Sequence, residues 1–331
     1  STPSCSAARA LRLWKNVAEE MKPYPTINRG FGGSYTTEVL GYMDRITLPY
    51  HPRVVVFHCG GNDVNAGDPA EAPLGRIREY VKRLRKDNPN TAVVFMATTR
   101  APSRKAKWPE LDKFNAGLAA YCKEESNVWF VDINPALNQA NGEGKEGHYL
   151  KDNLHPSELG YQEITKVLKP AVDAAWMTEA LEAAGVARGA TVTNVELARY
   201  IGTGQMGRNA RFQLTWDQPE GRPATVVGKF PTDDANARAS AFANGSYIKE
   251  WAFYAHLKPT VTIRTPEVWV ARFDEADQNF TFIMEDIAGS AQGDQMRGLN
   301  EAEASLAVEQ LVRLHAPHWG NEALMDSLGG G

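Results

Sequence analysis

The chain has 331 residues and 43% apolar side chains, enough to bury a core in each of two domains, and no run of about 18 to 20 apolar residues that would span a bilayer. Its net charge of −4 conceals an asymmetry, because residues 1–176 carry 23 Lys/Arg against 20 Asp/Glu and residues 177–331 carry 13 against 20. Neither half, at +3 and −7, has the basic stripe interleaved with aromatics that a nucleic-acid partner requires. Cys5, Cys59 and Cys122 lack metal-ligand spacing and cannot all pair with one another. With no secretory signal pattern, they point to a reduced, cytoplasmic setting.

In chain order, Ala10, Leu13, Trp14, Val17, Ala18 and Met21 share one helical face, so residues 8–21 are expected as an amphipathic helix ended by Pro23 and Pro25. Only STPSCSA precedes it, where an α/β domain needs a strand. Asn28-Arg29-Gly30-Phe31-Gly32-Gly33-Ser34 is a glycine-rich turn leading to a helix over Tyr35–Met43. Val54-Val55-Val56-Phe57 reads as a buried strand that stops at Gly60-Gly61 and presents Asn62 and Asp63 at its carboxyl end, where open α/β sheets place their chemistry. A helix through Ile77, Tyr80, Val81 and Leu84, a strand over Thr91–Thr99, a helix over Leu111–Cys122 and a strand over Val128–Ile133 follow. This alternation predicts a parallel sheet with helices on both faces. Asp152-Asn153-Leu154-His155-Pro156 then precedes a helix over Ser157–Trp176, with Ser157 as its cap. A carboxylate three residues before an imidazole can hold its tautomer, which suits His155 to general-base work.

The ordered set NRGFGGS, GGND and DNLHP resembles the SGNH (GDSL-type) hydrolase family over residues ~8–176. That resemblance implies a three-layer α/β/α flavodoxin-like fold and a small-molecule ester substrate, with no cofactor or metal, while the charge pattern and the lack of a long apolar run speak against a nucleic-acid or membrane partner. It also implies His155 as base, Asp152 as its orienter, and the Gly33 backbone N–H and the Asn62 side-chain amide as oxyanion donors. The family's first strand ends in Gly-x-Ser, whose serine is the nucleophile, and its closer relatives continue into an Arg-x-Trp-like segment. Arg12-Leu13-Trp14 matches that continuation, which puts the missing motif at about Ala7 to Ala10, where the chain reads Ala-Ala-Arg-Ala. Residues 1–176 are therefore expected to lack both the first strand and the nucleophile. Ser4 and Ser6 remain as weak candidates, and a reading-frame slip upstream of Ala10 is one account of the loss.

Met177-Thr178-Glu179 opens a different composition, and the domain boundary is expected at 176/177, with residues 177–331 as the second domain. Tyr200 to Gly207 is a glycine-rich hairpin, Ala210–Trp216 and Ala224–Phe230 read as strands, and Ser246–Leu257 reads as a helix. Lys229 on the second strand and Glu250 on the helix are placed to ion-pair, and Phe280–Ile287 is a further strand. The order of these elements resembles the amino-terminal lobe of the aminoglycoside phosphotransferase family, especially its ecdysteroid-kinase-like branch, over residues ~185–320. It implies an α+β lobe that binds ATP with Mg. Gly202, Gly204 and Gly207 would lie over the phosphates, Lys229 on them with Glu250 holding it, and Met284 and Glu285 at the adenine-facing hinge. No His-x-Asp-x-x-x-x-Asn loop follows Ile287, so phosphoryl transfer by this chain alone is not expected. The remaining alternative is a fusion or truncation product without enzymatic function.

Overall fold

Two segments dominate the centre of the first sheet, Val54–Phe57 and Ala92–Met96, and every residue of both is buried. Covered on both faces, they read as unbroken apolar runs without alternation. The computed structural model describes residues 4–7, 9–22, 24–202, 207–275, 279–287, 289 and 296–321, with 4–7, 9 and 10 described by their backbone. The chain divides into two units, residues 1–195 with 215–222, and residues 196–214 with 223–331.

The first unit holds β1 (Ser4–Ala7), α1 (Arg9–Leu13), α2 (Val17–Glu20), β2 (Thr26–Asn28), α3 (Thr36–Gly41), α4 (Met43–Ile46), β3 (Val54–Phe57), α5 (Gly61–Ala66), α6 (Glu71–Asp87), β4 (Ala92–Met96), α7 (Trp108–Glu124), β5 (Val128–Val131), α8 (Asn134–Leu137) and α9 (Glu158–Ala183). The five strands are parallel in the order β2-β1-β3-β4-β5. Phe57 packs on Tyr80 of α6 and on Phe95, and Phe95 packs on Tyr121 of α7, at ring-centroid distances of 4.9, 5.2 and 6.5 Å. Trp14 stacks on Tyr161 of α9 at 5.2 Å, and Leu11, Val17, Met21, Ile164, Leu168 and Val172 are buried with them. These contacts place the expected helical layers on the sheet.

β1 corrects the expectation of a missing first strand. Ser4, Cys5 and Ser6 pair with Thr26, Ile27 and Asn28 of β2, and Cys5, Ser6 and Ala7 pair with Val55, Val56 and Phe57 of β3. The four residues contain no β-branched side chain and lack strand propensity of their own. Hydrogen bonds to a neighbour on each side make them the strand between β2 and β3. The helix expected over residues 8–21 is instead the pair α1 and α2, interrupted at Trp14–Asn16. The helix expected to end at Trp176 runs on to Ala183, capped at its start by Ser157 Oγ, which accepts from Gly160 N at 3.1 Å. Beyond 176, Met177, Ala180 and Leu181 are buried, the Arg53 guanidinium meets Glu179 at 2.5 Å, and Thr178 Oγ1 accepts from Val192 N at 2.8 Å. The division into units therefore falls after Val195 and not at 176/177.

The second sheet has the order β6-β7-β8-β10-β9, with β6 (Val192–Ile201), β7 (Gly207–Trp216), β8 (Thr225–Pro231), β9 (Val268–Asp274) and β10 (Asn279–Glu285). β7 with β8, β8 with β10, and β10 with β9 are antiparallel. The helices are α10 (Ala235–Ala243), α11 (Ser246–Ala252) and α12 (Glu301–His315). Val227, Ala241, Tyr247, Phe280, Phe282 and Met284 form a buried cluster of this unit. Helical winding continues past α11 as a wider turn over Phe253–Leu257, which completes the segment expected as one helix.

Candidate active site

Three loops follow the carboxyl ends of β2, β3 and β4, and a fourth enters α9. The turn after β3 needs its glycines. Gly60 has φ +121°, and a Cβ there would lie 2.5 Å from the Phe114 ring, while a Cβ on Gly61 would lie 2.8 Å from the Thr98 methyl. Bare backbone at both positions lets the chain pass close to β4 and α7 and turn at once into α5, which carries Asn62 and Asp63.

Asp63 is fully buried and ties this turn to the loop after β2. Its carboxylate accepts from Thr36 N at 3.1 Å, from Thr36 Oγ1 at 2.5 Å and from Arg76 at 3.0 Å. Asn62 reaches the same loop, since its Nδ2 donates to the Ser34 carbonyl at 3.0 Å. Gly33, just before, has φ +71°, a left-handed conformation that favours glycine. Its N–H has no hydrogen-bond partner among the described residues. The oxyanion donors expected from sequence, Gly33 and Asn62, are thus held against one another through Ser34.

The DNLHP loop folds as an Asx turn. Asp152 Oδ1 accepts from Leu154 N at 2.9 Å and His155 N at 3.0 Å, and Oδ2 meets His155 Nδ1 at 2.6 Å. Partial burial raises the Asp152 pKa, but the hydrogen bonds from the His155 ring and the two backbone N–H groups outweigh it and hold the carboxyl at about 2. An ionised carboxylate at Nδ1 keeps the proton on that nitrogen and leaves Nε2 as the basic atom. The imidazole itself is buried, at 8% exposure.

The loop after β4 joins these parts and was not foreseen from the sequence. Ser103 N donates to the Asn153 carbonyl of the histidine loop at 3.1 Å. The next residue, Arg104, donates to Asn62 Oδ1 at 2.8 Å and to the Gly61 carbonyl at 3.1 Å. Its only sequence signal is a basic side chain after a buried strand, which is commonplace.

For the candidate nucleophiles Ser4 and Ser6, the described backbone of β1 gives their place along the strand. Ser4 pairs with Thr26 at the amino end of the strand, three residues or ~10 Å from its carboxyl end at ~3.3 Å per residue, and Ser6 lies within the strand opposite Asn28 and Val56. β1 ends at Ala7 and α1 starts at Arg9, and the sequence from 7 to 9 holds no serine.

In the second unit, Lys229 Nζ meets both Glu250 carboxylate oxygens, at 2.6 and 2.7 Å. Gly202 has φ +78°, Gly207 starts β7, and Gly204 lies outside the described residues. Met284 is buried on β10, and Glu285, which ends that strand, binds Arg264 at 2.9 Å.

The profile described as "GDSL-like Lipase/Acylhydrolase family" matches residues 2–163. Among solved structures the chain is similar to a protein assigned as a platelet activating factor from Streptococcus pneumonia, at 20% identity over 52% of this chain and 83% of that one, with a TM-score of 0.47. It is also similar to a GDSL-like lipase from Bacteroides thetaiotaomicron, at 20% identity over 51% and 86%, with a TM-score of 0.46. A third is a carbohydrate esterase family 3 protein from Talaromyces cellulolyticus, at 15% identity over 53% and 97%, with a TM-score of 0.42. No curated protein sequence matches the chain. The family match ends at residue 163 and lends nothing to the kinase-like reading of residues 185–320. Residues 2–163, which include β1, the glycine-rich loop, the GGND turn and the DNLHP loop, are a GDSL-like lipase/acylhydrolase family domain.

Proposed function

We propose that the first unit is built to hydrolyse small esters and that its turnover is impaired by the serine-free junction after β1. The observation that carries this reading is the His155–Asp152 contact at 2.6 Å, on a loop joined through Ser103 and Arg104 to the two oxyanion donors. In the complete reaction a serine hydroxyl attacks the ester carbonyl while His155 Nε2 takes its proton, and the tetrahedral oxyanion forms against Gly33 N–H and the Asn62 amide. His155 then returns the proton to the leaving alcohol, and a water activated by the same nitrogen releases the acid. Without the serine, only water can be activated. With this one member of the triad missing, the residual is roughly 10³ to 10⁴ over the uncatalysed rate, by analogy with serine proteases.

Hydrolysis of p-nitrophenyl acetate by the purified chain is therefore expected to be slow, and to fall to background in His155→Ala and in Asn62→Ala. The double substitution Ala7→Gly with Arg9→Ser places a hydroxyl at the strand-to-helix junction and is expected to raise kcat at least ~10³-fold, since the members of such a triad act as a unit. Equal background in all four proteins sinks the reading.

A second reading, for the second unit, is favoured by the Lys229–Glu250 pair. A Cβ at Gly207 would lie 3.3 Å from Lys229 Cε, so the end of the glycine-rich hairpin passes directly over that side chain. The arrangement suits an ATP phosphate group, with Glu250 orienting the ammonium. ATP with Mg would supply a phosphoryl group, and no transfer step is assigned to residues of this chain.

A further inference from the structure

Asn62 acts only if its amide plane is fixed, because a carboxamide free to rotate offers an oxygen or a nitrogen to the same point in space. Two contacts set that plane. Nδ2 donates one hydrogen to the Ser34 carbonyl at 3.0 Å, and Oδ1 accepts from Arg104 Nη2 at 2.8 Å. The second Nδ2 hydrogen has no partner among the described residues and is the one available to an oxyanion. Arg104 also donates through Nη1 to the Gly61 carbonyl at 3.1 Å, so its fork spans the backbone and the side chain of adjacent residues. Gly61 lies beside it: a Cβ there would sit 2.8 Å from the Thr98 methyl and in ordinary contact, at 3.6 Å, with Arg104 Nη1.

We infer that Arg104 is a positioning residue for the oxyanion site: its guanidinium locks the Asn62 amide with nitrogen toward the substrate and polarises it into a stronger donor. A cation bound to the amide oxygen draws electron density from the nitrogen and makes its remaining N–H more acidic. Two parallel donors fix orientation as one cannot, so lysine is an incomplete substitute. The loop carrying Arg104 also holds the histidine loop through Ser103 N and Asn153 O, so one segment sets both the base and the donor. This role rests on the reading of Asn62 and Gly33 as oxyanion donors.

The test uses acetate, a small oxyanion that needs no nucleophile, titrated into the full chain while the Asn62 side-chain amide and Gly33 backbone N–H signals are followed by NMR. Acetate is expected to shift both signals in the native chain. In Arg104→Ala the Asn62 response is expected to vanish, the Gly33 response to persist, and acetate affinity to fall about tenfold, less than the ~10²-fold that a lost oxyanion donor costs in kcat because acetate carries its charge in the ground state. Arg104→Lys, folded by circular dichroism, should recover only part of the affinity, with a gap that survives 0.5 M salt, where remote attraction between charges is screened. Hydrolysis should show the same residue acting on kcat with KM unchanged. An unchanged Asn62 response and acetate affinity in Arg104→Ala, or in Arg104→Lys should the alanine variant not fold, overturns the role of Arg104 and leaves the oxyanion site standing. Absence of any shift at Asn62 and Gly33 in the native chain overturns the oxyanion reading, and this inference with it.

Discussion

Asp152 is half exposed and yet strongly committed to its ionised form, because three hydrogen bonds converge on it from two successive residues. Its pKa in the folded chain, about 2, lies below the ordinary 3.8. A carboxyl depressed by folding contributes stability that is fully present above its ordinary value and is lost as pH falls through the folded one. Thermal melts of the native chain and Asp152→Asn should therefore differ at pH 5 to 7 and converge as pH approaches 2. A constant difference across that range would show that the carboxylate is not what the loop depends on. DNLHP was legible in the sequence because an Asx turn and a carboxylate–imidazole pair three residues apart are both local. Arg104 was not, since its partners Gly61 and Asn62 lie over forty positions away and nothing in the spacing of ATTRAPSRKAK distinguishes it.

At the scale of the element, the GGND turn shows how little space the site is allowed. Gly60→Ala would place a methyl 2.5 Å from the Phe114 ring at φ +121°, so both sterics and backbone oppose it. The expected cost is about 2 to 4 kcal/mol of unfolding free energy, combining overpacking with a strained conformation. Gly67, also at positive φ but with open space around its missing Cβ, provides the comparison, and Gly67→Ala should lose about 1 to 2 kcal/mol. Denaturant melts of the two variants check the order. The turn was legible as a stop, because two glycines after a buried run interrupt any strand. That the glycines are required by Phe114 and Thr98 is a tertiary fact, set by how α7 and β4 pack.

At the scale of the molecule, the two candidate sites draw on different sheets, and a whole-chain test follows from that. Lys229→Met should abolish binding of a fluorescent ATP analogue and leave ester hydrolysis unchanged, while His155→Ala should do the reverse. Loss of both in one variant would mean that neither unit holds its site alone. The continuity of α9 through residues 176/177 belongs here too. A change of composition at Met177 reads as a boundary, yet the buried Met177, Ala180 and Leu181 and the Arg53–Glu179 pair make the next two turns part of the first unit. By itself, the sequence determined what local chemistry and continuous apolar runs can determine: the buried strands β3 and β4, the helices on either side, the histidine loop and the glycine-rich turns. Tertiary structure alone decided that SCSA is a strand, because its order comes from neighbours on both sides and not from its own side chains. It also decided which donors converge on Asn62, because hydrogen bonds between distant loops leave no periodicity to read.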